Sequence, residues 1–388
     1  MNIEIVSGAR VICSNRESFQ SYFAWPTVGR LPGGELALVG SGFRIKHLCP
    51  FGKAIICYSR NEGKSWTLPA PVIDTPLDDR DGGIASNGNK VIVTSFNNTV
   101  AIQHKWNEEQ KLCDDDHIRS ASENNLYLNT PDSLYHLVKG YLDNVNAKEA
   151  EEKFLGSVYK ISEDGGFTFG EIKKIPVTCP HGPGVLNDGR FIYVGTSFNP
   201  DKGNDNDLAC YVMNNEGDFE LTGKIENLEP IDGVEVMICE PHTLVLPDGK
   251  IIVHIRVQSS GENSTKSTFF TTYQSESCDG GKTFTKPHLL FADKRFGAPA
   301  HLMLTKSGVI VSTLGLRDEP YGIKVIISED NGESWQDMGL IYNNNCASQD
   351  IGYPSSVELN DGTILTTFYA HQTKDAPSEI MQVVWKLK

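Results

Sequence analysis

Cationic charge is in short supply: the 388-residue chain has 35 lysines and arginines against 50 aspartates and glutamates, a formal net charge of −15. Phosphate backbones and anionic lipids demand basic surface, so neither nucleic acid nor membrane is expected as a partner. No apolar run approaches the roughly 20 residues of a spanning helix. The opening Met1-Asn2-Ile3-Glu4-Ile5 lacks the basic and apolar regions of a secretory signal. Nine cysteines, an odd number without a CxxC pair, suit free thiols in a reducing compartment. A cytoplasmic protein is the simplest reading, although a secreted or periplasmic chain trimmed of its signal would read the same. The histidines match no zinc spacing, and no metal or cofactor is expected.

What the chain does have is glycine, 36 in all, placed in two repeats. Ser328-Glu329-Asp330-Asn331-Gly332-Glu333-Ser334-Trp335 recurs as Ser277 to Phe284, as Ser162 to Phe169, and with Asn61 for Asp as Ser59 to Trp66. Each copy reads as a hairpin turn in which Asp or Asn folds onto its own backbone, Gly takes a positive φ and the aromatic packs inward. The pattern resembles the Asp-box of the sialidase superfamily, which implies a six-bladed β-propeller with these turns away from the active site.

A second repeat marks the strands, a Gly-containing turn followed by an alternating apolar run. Its copies centre on Gly34, Gly88, Gly189, Gly249, Gly308 and Gly362. Met213 to Phe219 reads as a degenerate box. Residues 1–388 are therefore expected to form one all-β domain, a six-bladed propeller of four-stranded blades. Met381 to Leu387 should close the ring against the strand around Val11 and Ile12, which removes the open sheet edges. Residues 98–154 read as a partly helical insertion. Thr130-Pro131-Asp132 starts a helix whose Leu134, Leu137, Val138, Tyr141 and Leu142 form an apolar stripe, read as core or packing surface, with a cover over the active-site rim or a homo-oligomer contact as the alternatives.

Two segments hold candidate chemistry at the same phase of their blades, just before a hairpin. Cys239-Glu240-Pro241-His242 leads to His254-Ile255-Arg256, and Asp350-Ile351-Gly352-Tyr353-Pro354 leads into the last hairpin. Equal phases face the same end of a propeller channel. These segments resemble the exo-sialidases, which implies Tyr353 as nucleophile, Glu240 as its base, and Arg256 and Arg317 as arginines gripping a substrate carboxylate. Asp81, in Asp79-Arg80-Asp81-Gly82-Gly83, matches a family Asp at the pocket edge.

The physical logic agrees with the resemblance. An anionic nucleophile approaching an anomeric carbon that bears a carboxylate meets about 1 to 4 kcal/mol of repulsion at 4 Å in polar surroundings, which a neutral tyrosine avoids. With a pKa near 10, tyrosine then needs a base, and arginine offers a carboxylate a two-pronged fork. The plain structural readings are a packed Tyr353, a Glu240–Arg256 blade salt bridge and a surface Arg317.

Two positions depart from the family. Its Phe-Arg-Ile-Pro is Phe23-Ala24-Trp25-Pro26 here, and the segment expected to carry the acid/base Asp reads Arg44 to Pro50, without a carboxylate. Asp81 or His47 is then the acid, and Arg44 or Arg80 replaces the missing arginine. His181, His242 and His301 are expected at the rim as substrate contacts. The acidic stretches Asp114 to His117 and Asp201 to Asp207 read as solvated loops rather than calcium ligands. The expected function is an exo-acting glycoside hydrolase that releases a terminal acidic sugar, sialic acid or a related ulosonic or uronic acid, through a retained configuration. The alternatives are a carbohydrate-binding propeller without catalysis and a polysaccharide lyase.

Overall fold

The computed structural model describes residues 1–111, 132–175, 177–199, 203–260, 268–343, 348–373 and 376–388. The chain begins with β1 (Ile3–Cys13) and then builds blades in order. Blade 1 is β2 (Tyr22–Arg30), β3 (Leu36–Arg44), β4 (Lys53–Ser59) and β5 (Ala70–Ile73). Blade 2 is β6 (Arg80–Asn87), β7 (Lys90–Phe96), β8 (Ser157–Ser162) and β9 (Lys173–Ile175). Blade 3 has a split inner strand, β10 (Val177–Thr178) and β11 (Gly184–Val185), followed by β12 (Phe191–Asn199), β13 (Gly203–Met213) and β14 (Phe219–Ile225). Blade 4 is β15 (Val236–Val245), β16 (Ile251–Ser259), β17 (Phe270–Ser277) and β18 (His288–Leu289). Blade 5 is β19 (Ala300–Leu304), β20 (Ile310–Leu316), β21 (Gly322–Ser328) and β22 (Gln336–Asn343). Blade 6 is β23 (Gly352–Glu358), β24 (Ile364–His371), β25 (Ser378–Leu387) and, outermost, β1. The six-bladed propeller is thus closed by the N-terminal strand, with Val11 opposite Met381.

Both sequence repeats are turns within blades. The glycine repeat joins first to second strands, and the box joins third to fourth. In blade 2, Ser162 Oγ accepts from Gly166 N at 2.8 Å, while Asp164 accepts from Thr168 N at 3.0 Å and from Thr168 Oγ1 at 2.6 Å. Gly166 sits at φ 101°, and a Cβ there would meet Leu31 Cδ2 at 2.9 Å, so the turn docks on the preceding blade only with glycine. Blade 3 keeps a reduced version, in which Asn214 Oδ1 accepts from Glu216 N and Asp218 N at 3.0 and 2.9 Å.

The inner strands leave backbone groups facing the channel, and side chains of the neighbouring blade satisfy several of them. Leu302 N donates to His242 Nδ1 at 2.9 Å, Ser356 N to His301 Nδ1 at 3.3 Å and Val28 N to Ser355 Oγ at 3.1 Å. Cys179 Sγ donates to Pro241 O at 3.0 Å. Where blades 2 and 3 meet, glycines replace the bond: a Cβ on Gly83 would lie 2.5 Å from Gly182 Cα.

Between β7 and β8 the chain forms α1 (Val100–Lys111), α2 (Asp132–Asn144) and α3 (Ala147–Phe154). Asn146 caps α3 by accepting from Glu149 N at 3.3 Å. The expected stripe is rotated: Tyr135, Val138 and Leu142 are buried, Leu134 and Tyr141 half-buried, and Leu137 is exposed. This face packs on Leu77, Ile45 and Phe51 of the blade 1 loops. Thr130 and Pro131, like Asp114 to His117, lie outside the described residues.

Candidate active site

The channel-facing segments share one backbone device. Within β2, β6, β15 and β23 the register with the second strand slips, between Ala24 and Thr27, Arg80 and Gly83, Cys239 and His242, and Gly352 and Ser355. The residue inside each bulge is left-handed: Trp25 at φ 52°, Asp81 at 43°, Glu240 at 48° and Tyr353 at 47°. Gly182, in the break between β10 and β11, continues the series at 82°. A bulge re-aims a side chain that regular pleating would direct elsewhere, and non-glycine residues hold such φ values only under surrounding constraint.

Two of these side chains meet. Tyr353 Oη donates to Glu240 Oε1 at 2.6 Å, and Arg256 Nη1 reaches Glu240 Oε2 at 2.5 Å and the Tyr353 oxygen at 3.4 Å. Burial alone would raise Glu240, but the Arg256 guanidinium, the tyrosine hydroxyl and Arg317 outweigh it, and the carboxyl is held below its usual range. Burial and the neighbouring carboxylates push the Tyr353 hydroxyl well up against the opposing pull of the two arginines, so it stays neutral at pH 7. Arg256 and Arg317 both lie over the Phe270 ring, at 4.7 and 5.2 Å from its centre. Arg317 is steered further by Ile351 O and by Tyr369 Oη, at 3.3 and 3.4 Å. The buried Nε of Arg256 has no hydrogen-bond partner among the described residues.

Asp81 is 2% exposed, and its Oδ1 lacks a partner. Burial, opposed by Arg80 and assisted by Glu240, pushes its carboxyl up to about 7. Its charge is also felt by Tyr353, which places the three groups in one cluster. An unbonded carboxyl that keeps its proton near neutrality is suited to protonate a leaving oxygen.

The remaining expectations fare differently. Arg44 does not line the pocket: its guanidinium is fully buried, ion-paired with Asp78 at 2.6 Å and bonded to His47 O at 2.7 Å. Arg80 shares Asp78 at 3.5 Å and keeps a slightly exposed side chain. The two guanidiniums lie over the Trp25 ring, at 4.9 and 4.4 Å from its centre.

His47 is not arranged as an acid. Tyr22 Oη donates to Asp350 Oδ2 at 2.8 Å and lies 3.0 Å from His47 Nδ1, so the imidazole proton sits on Nδ1. Burial, only partly offset by Asp350, lowers His47 to about 4, leaving about one molecule in a thousand protonated at pH 7. His181, His242 and His301 are not at the rim. They are buried in the channel, with ring centres 4.2 to 5.4 Å apart, and burial holds all three well below the normal histidine range. Their Nδ1 atoms are taken up in joining blades.

Sequence reasoning missed the Asp350 hub. Besides Tyr22, this buried carboxylate accepts from Tyr369 Oη and meets His371 Nε2, both at 2.9 Å. A carboxylate flanked by histidine contacts drawn from two blades leaves no local sequence signal. Its position three residues before Tyr353 was the available hint.

The closed ring of six blades, the box turns on its third-to-fourth connections and the Tyr–Glu–Arg cluster at the channel define a propeller of the sialidase type. The BNR repeat-like domain model matches residues 86–366, and the chain belongs to that family. Curated proteins give no sequence match. Among solved structures, a protein of unknown function from Dyadobacter fermentans is similar over 100% of both chains, with a TM-score of 0.71 and 18% identity. The intramolecular trans-sialidase from Ruminococcus gnavus is similar over 98% of this chain and 97% of its own, with a TM-score of 0.62 and 12% identity. A sialidase from Streptococcus pneumoniae matches 97% of this chain and 70% of its own, with a TM-score of 0.63 and 12% identity. These likenesses establish the shared fold.

Proposed function

We propose that the chain is an exo-acting glycoside hydrolase that releases a terminal acidic sugar, a sialic acid or a related ulosonic or uronic acid. The observation that carries this reading is the 2.6 Å bond from Tyr353 to Glu240, with Arg256 on the second carboxylate oxygen. A sugar-binding surface has no use for a tyrosine whose proton already has an acceptor; a nucleophile does.

In the first step the Tyr353 oxygen bonds to the anomeric carbon while its proton passes to Glu240. The glycosidic bond breaks, and the leaving oxygen takes the proton of Asp81. Arg256 and Arg317 neutralise the sugar carboxylate. In the second step the Asp81 carboxylate takes a proton from water, the resulting hydroxide attacks the anomeric carbon, and Tyr353 leaves and recovers its proton from Glu240. Two displacements give overall retention. With Ala24 in place of the family arginine, the carboxylate has a two-arginine grip, which favours acidic sugars whose carboxylate is held from one side.

The test is proton NMR of α-sialosides, ketodeoxyoctonoside-type ulosonides and uronides mixed with wild-type protein and with Tyr353→Phe. Turnover by the wild type, a first-formed anomer of retained configuration and loss of at least about 10³-fold in the variant are expected. The alternative of a non-catalytic binding propeller, which the lack of a carboxylate between Arg44 and Pro50 favours, predicts ligand line-broadening by both proteins and turnover by neither.

A further inference from the structure

The Cys13 and Cys57 sulfurs are 3.4 Å apart in van der Waals contact, and both residues are at most 1% exposed. They belong to different parts of the ring. Cys13 is the last residue of β1, the closing strand on blade 6, while Cys57 lies on β4 of blade 1. Around them pack Ile380 from blade 6 and Phe23, Leu38 and Ile55 from blade 1. Of the other described cysteines, Cys49, Cys179, Cys210 and Cys239 are buried and Cys278 is exposed. The strand that carries Cys13 is largely exposed and interrupted by three register shifts against β25.

From this juxtaposition we infer that Cys13 and Cys57 are a cross-linking site, oxidised to a disulfide that pins the closing strand β1 to the first blade when the protein meets a low-molecular-weight disulfide. The Cys13 thiolate attacks one sulfur of the small disulfide, and a small thiolate leaves. The Cys57 thiolate then attacks the Cys13 sulfur of the mixed disulfide, and the second small thiolate leaves. Two protein thiols and one small disulfide become one protein disulfide and two small thiols, so electrons and protons balance. Contact with Cys57 and burial push the Cys13 thiol well up. Attack therefore proceeds from states in which β1 has frayed from β25, which makes the reaction slow in the closed ring. Once formed, the bond spans 44 residue positions and takes a loop of that size out of the unfolded ensemble.

The experiment is incubation of the whole chain with oxidised glutathione at pH 8.5 for as long as the β1 amides take to exchange with D₂O. The sample is then denatured, alkylated and peptide-mapped. A peptide pair joined through Cys13 and Cys57, dissolved by dithiothreitol, is the expected product, with a rise in Tm of about 5 °C. A mixed disulfide on exposed Cys278 is told apart by its own peptide. Full alkylation of Cys13 and Cys57 after the β1 amides have exchanged overturns the inference, as does a cross-link to any other cysteine. Cys13→Ser and Cys57→Ala are made in parallel, so a folding defect in one leaves the other. Either variant should lose the Tm rise, and its persistence in either overturns the assignment.

Discussion

If Asp81 is the proton donor, replacing it by asparagine will hurt substrates in proportion to how badly their leaving group needs a proton. Asparagine is a clean probe, since it keeps the shape of the side chain and tolerates the φ of 43°. With its carboxyl at about 7, Asp81 is protonated in half the molecules at pH 7. At its ordinary 3.8 the protonated fraction would be about one in 1,600. Burial therefore makes the acid roughly 800 times more available. For an alkyl glycoside, Asp81→Asn should lower kcat/KM by about 10² to 10⁴. For a nitrophenyl glycoside, whose phenolate leaves without help, the loss should stay below about tenfold. The wild-type alkyl rate should fall tenfold per unit above pH 7, because the proton is then missing, and this limb should vanish in the variant.

Stability gives a second readout. A carboxyl raised from 3.8 to about 7 binds its proton more tightly folded than unfolded. Stability is thus lost as pH rises through that window, by about 4 kcal/mol once it is passed. Asp81→Asn should consequently melt higher than wild type at pH 8. Equal losses on both leaving groups, or an alkyl limb that survives in the variant, would refute the assignment.

Other expectations follow from buried charge and buried acceptors. His47, His181, His242, His254 and His301 all have depressed folded pKa values, so their stability is present above about pH 6.5 and is lost as pH falls, when the unfolded chain takes up protons first. Asp79 and Asp81, both raised to about 7, oppose this. The five histidines outnumber the two carboxyls, so the urea midpoint should fall as pH drops from 6 to 5. Asp78→Asn strands the buried Arg44 charge and should cost about 3 to 5 kcal/mol in urea denaturation, with partial recovery in the double variant carrying Arg44→Met. Ser328→Ala removes the acceptor 2.8 Å from the Gly332 amide inside a box turn, and should cost about 1 to 3 kcal/mol without changing KM.

The blades were legible because their turns obey local rules. Gly332 at φ 83° beside Ser328 and Asp330 satisfies a hydrogen-bond pattern written in consecutive residues. The Tyr353–Glu240 pairing was legible as equal phase in repeated blades, though its 113-residue separation hides it from local pattern. What failed was depth and partnership. The segment around His242 has the phase of a rim residue, but the bulge at Glu240 carries it down into the channel as an acceptor for Leu302. Arg44 looks like an available cation until Asp78, 34 residues later, comes to lie against it. Asp350 gathers partners from both ends of the chain, and only closure of the ring brings them together.

The left-handed positions at the mouths of the inner strands carry a further implication. Each non-glycine occupant of such a bulge costs the fold about 1 to 2 kcal/mol, so Trp25, Asp81, Glu240 and Tyr353 hold a standing load that glycine would relieve. Packing offsets part of that load, since Trp25 and Tyr353 are buried in one cluster with Tyr22 and Tyr369. Because main chain rather than side chain sets the aim, these positions behave as interchangeable tool holders around a common axis. Trp25 at one of them lies against two guanidiniums, while Asp81, Glu240 and Tyr353 at the others carry ionisable groups.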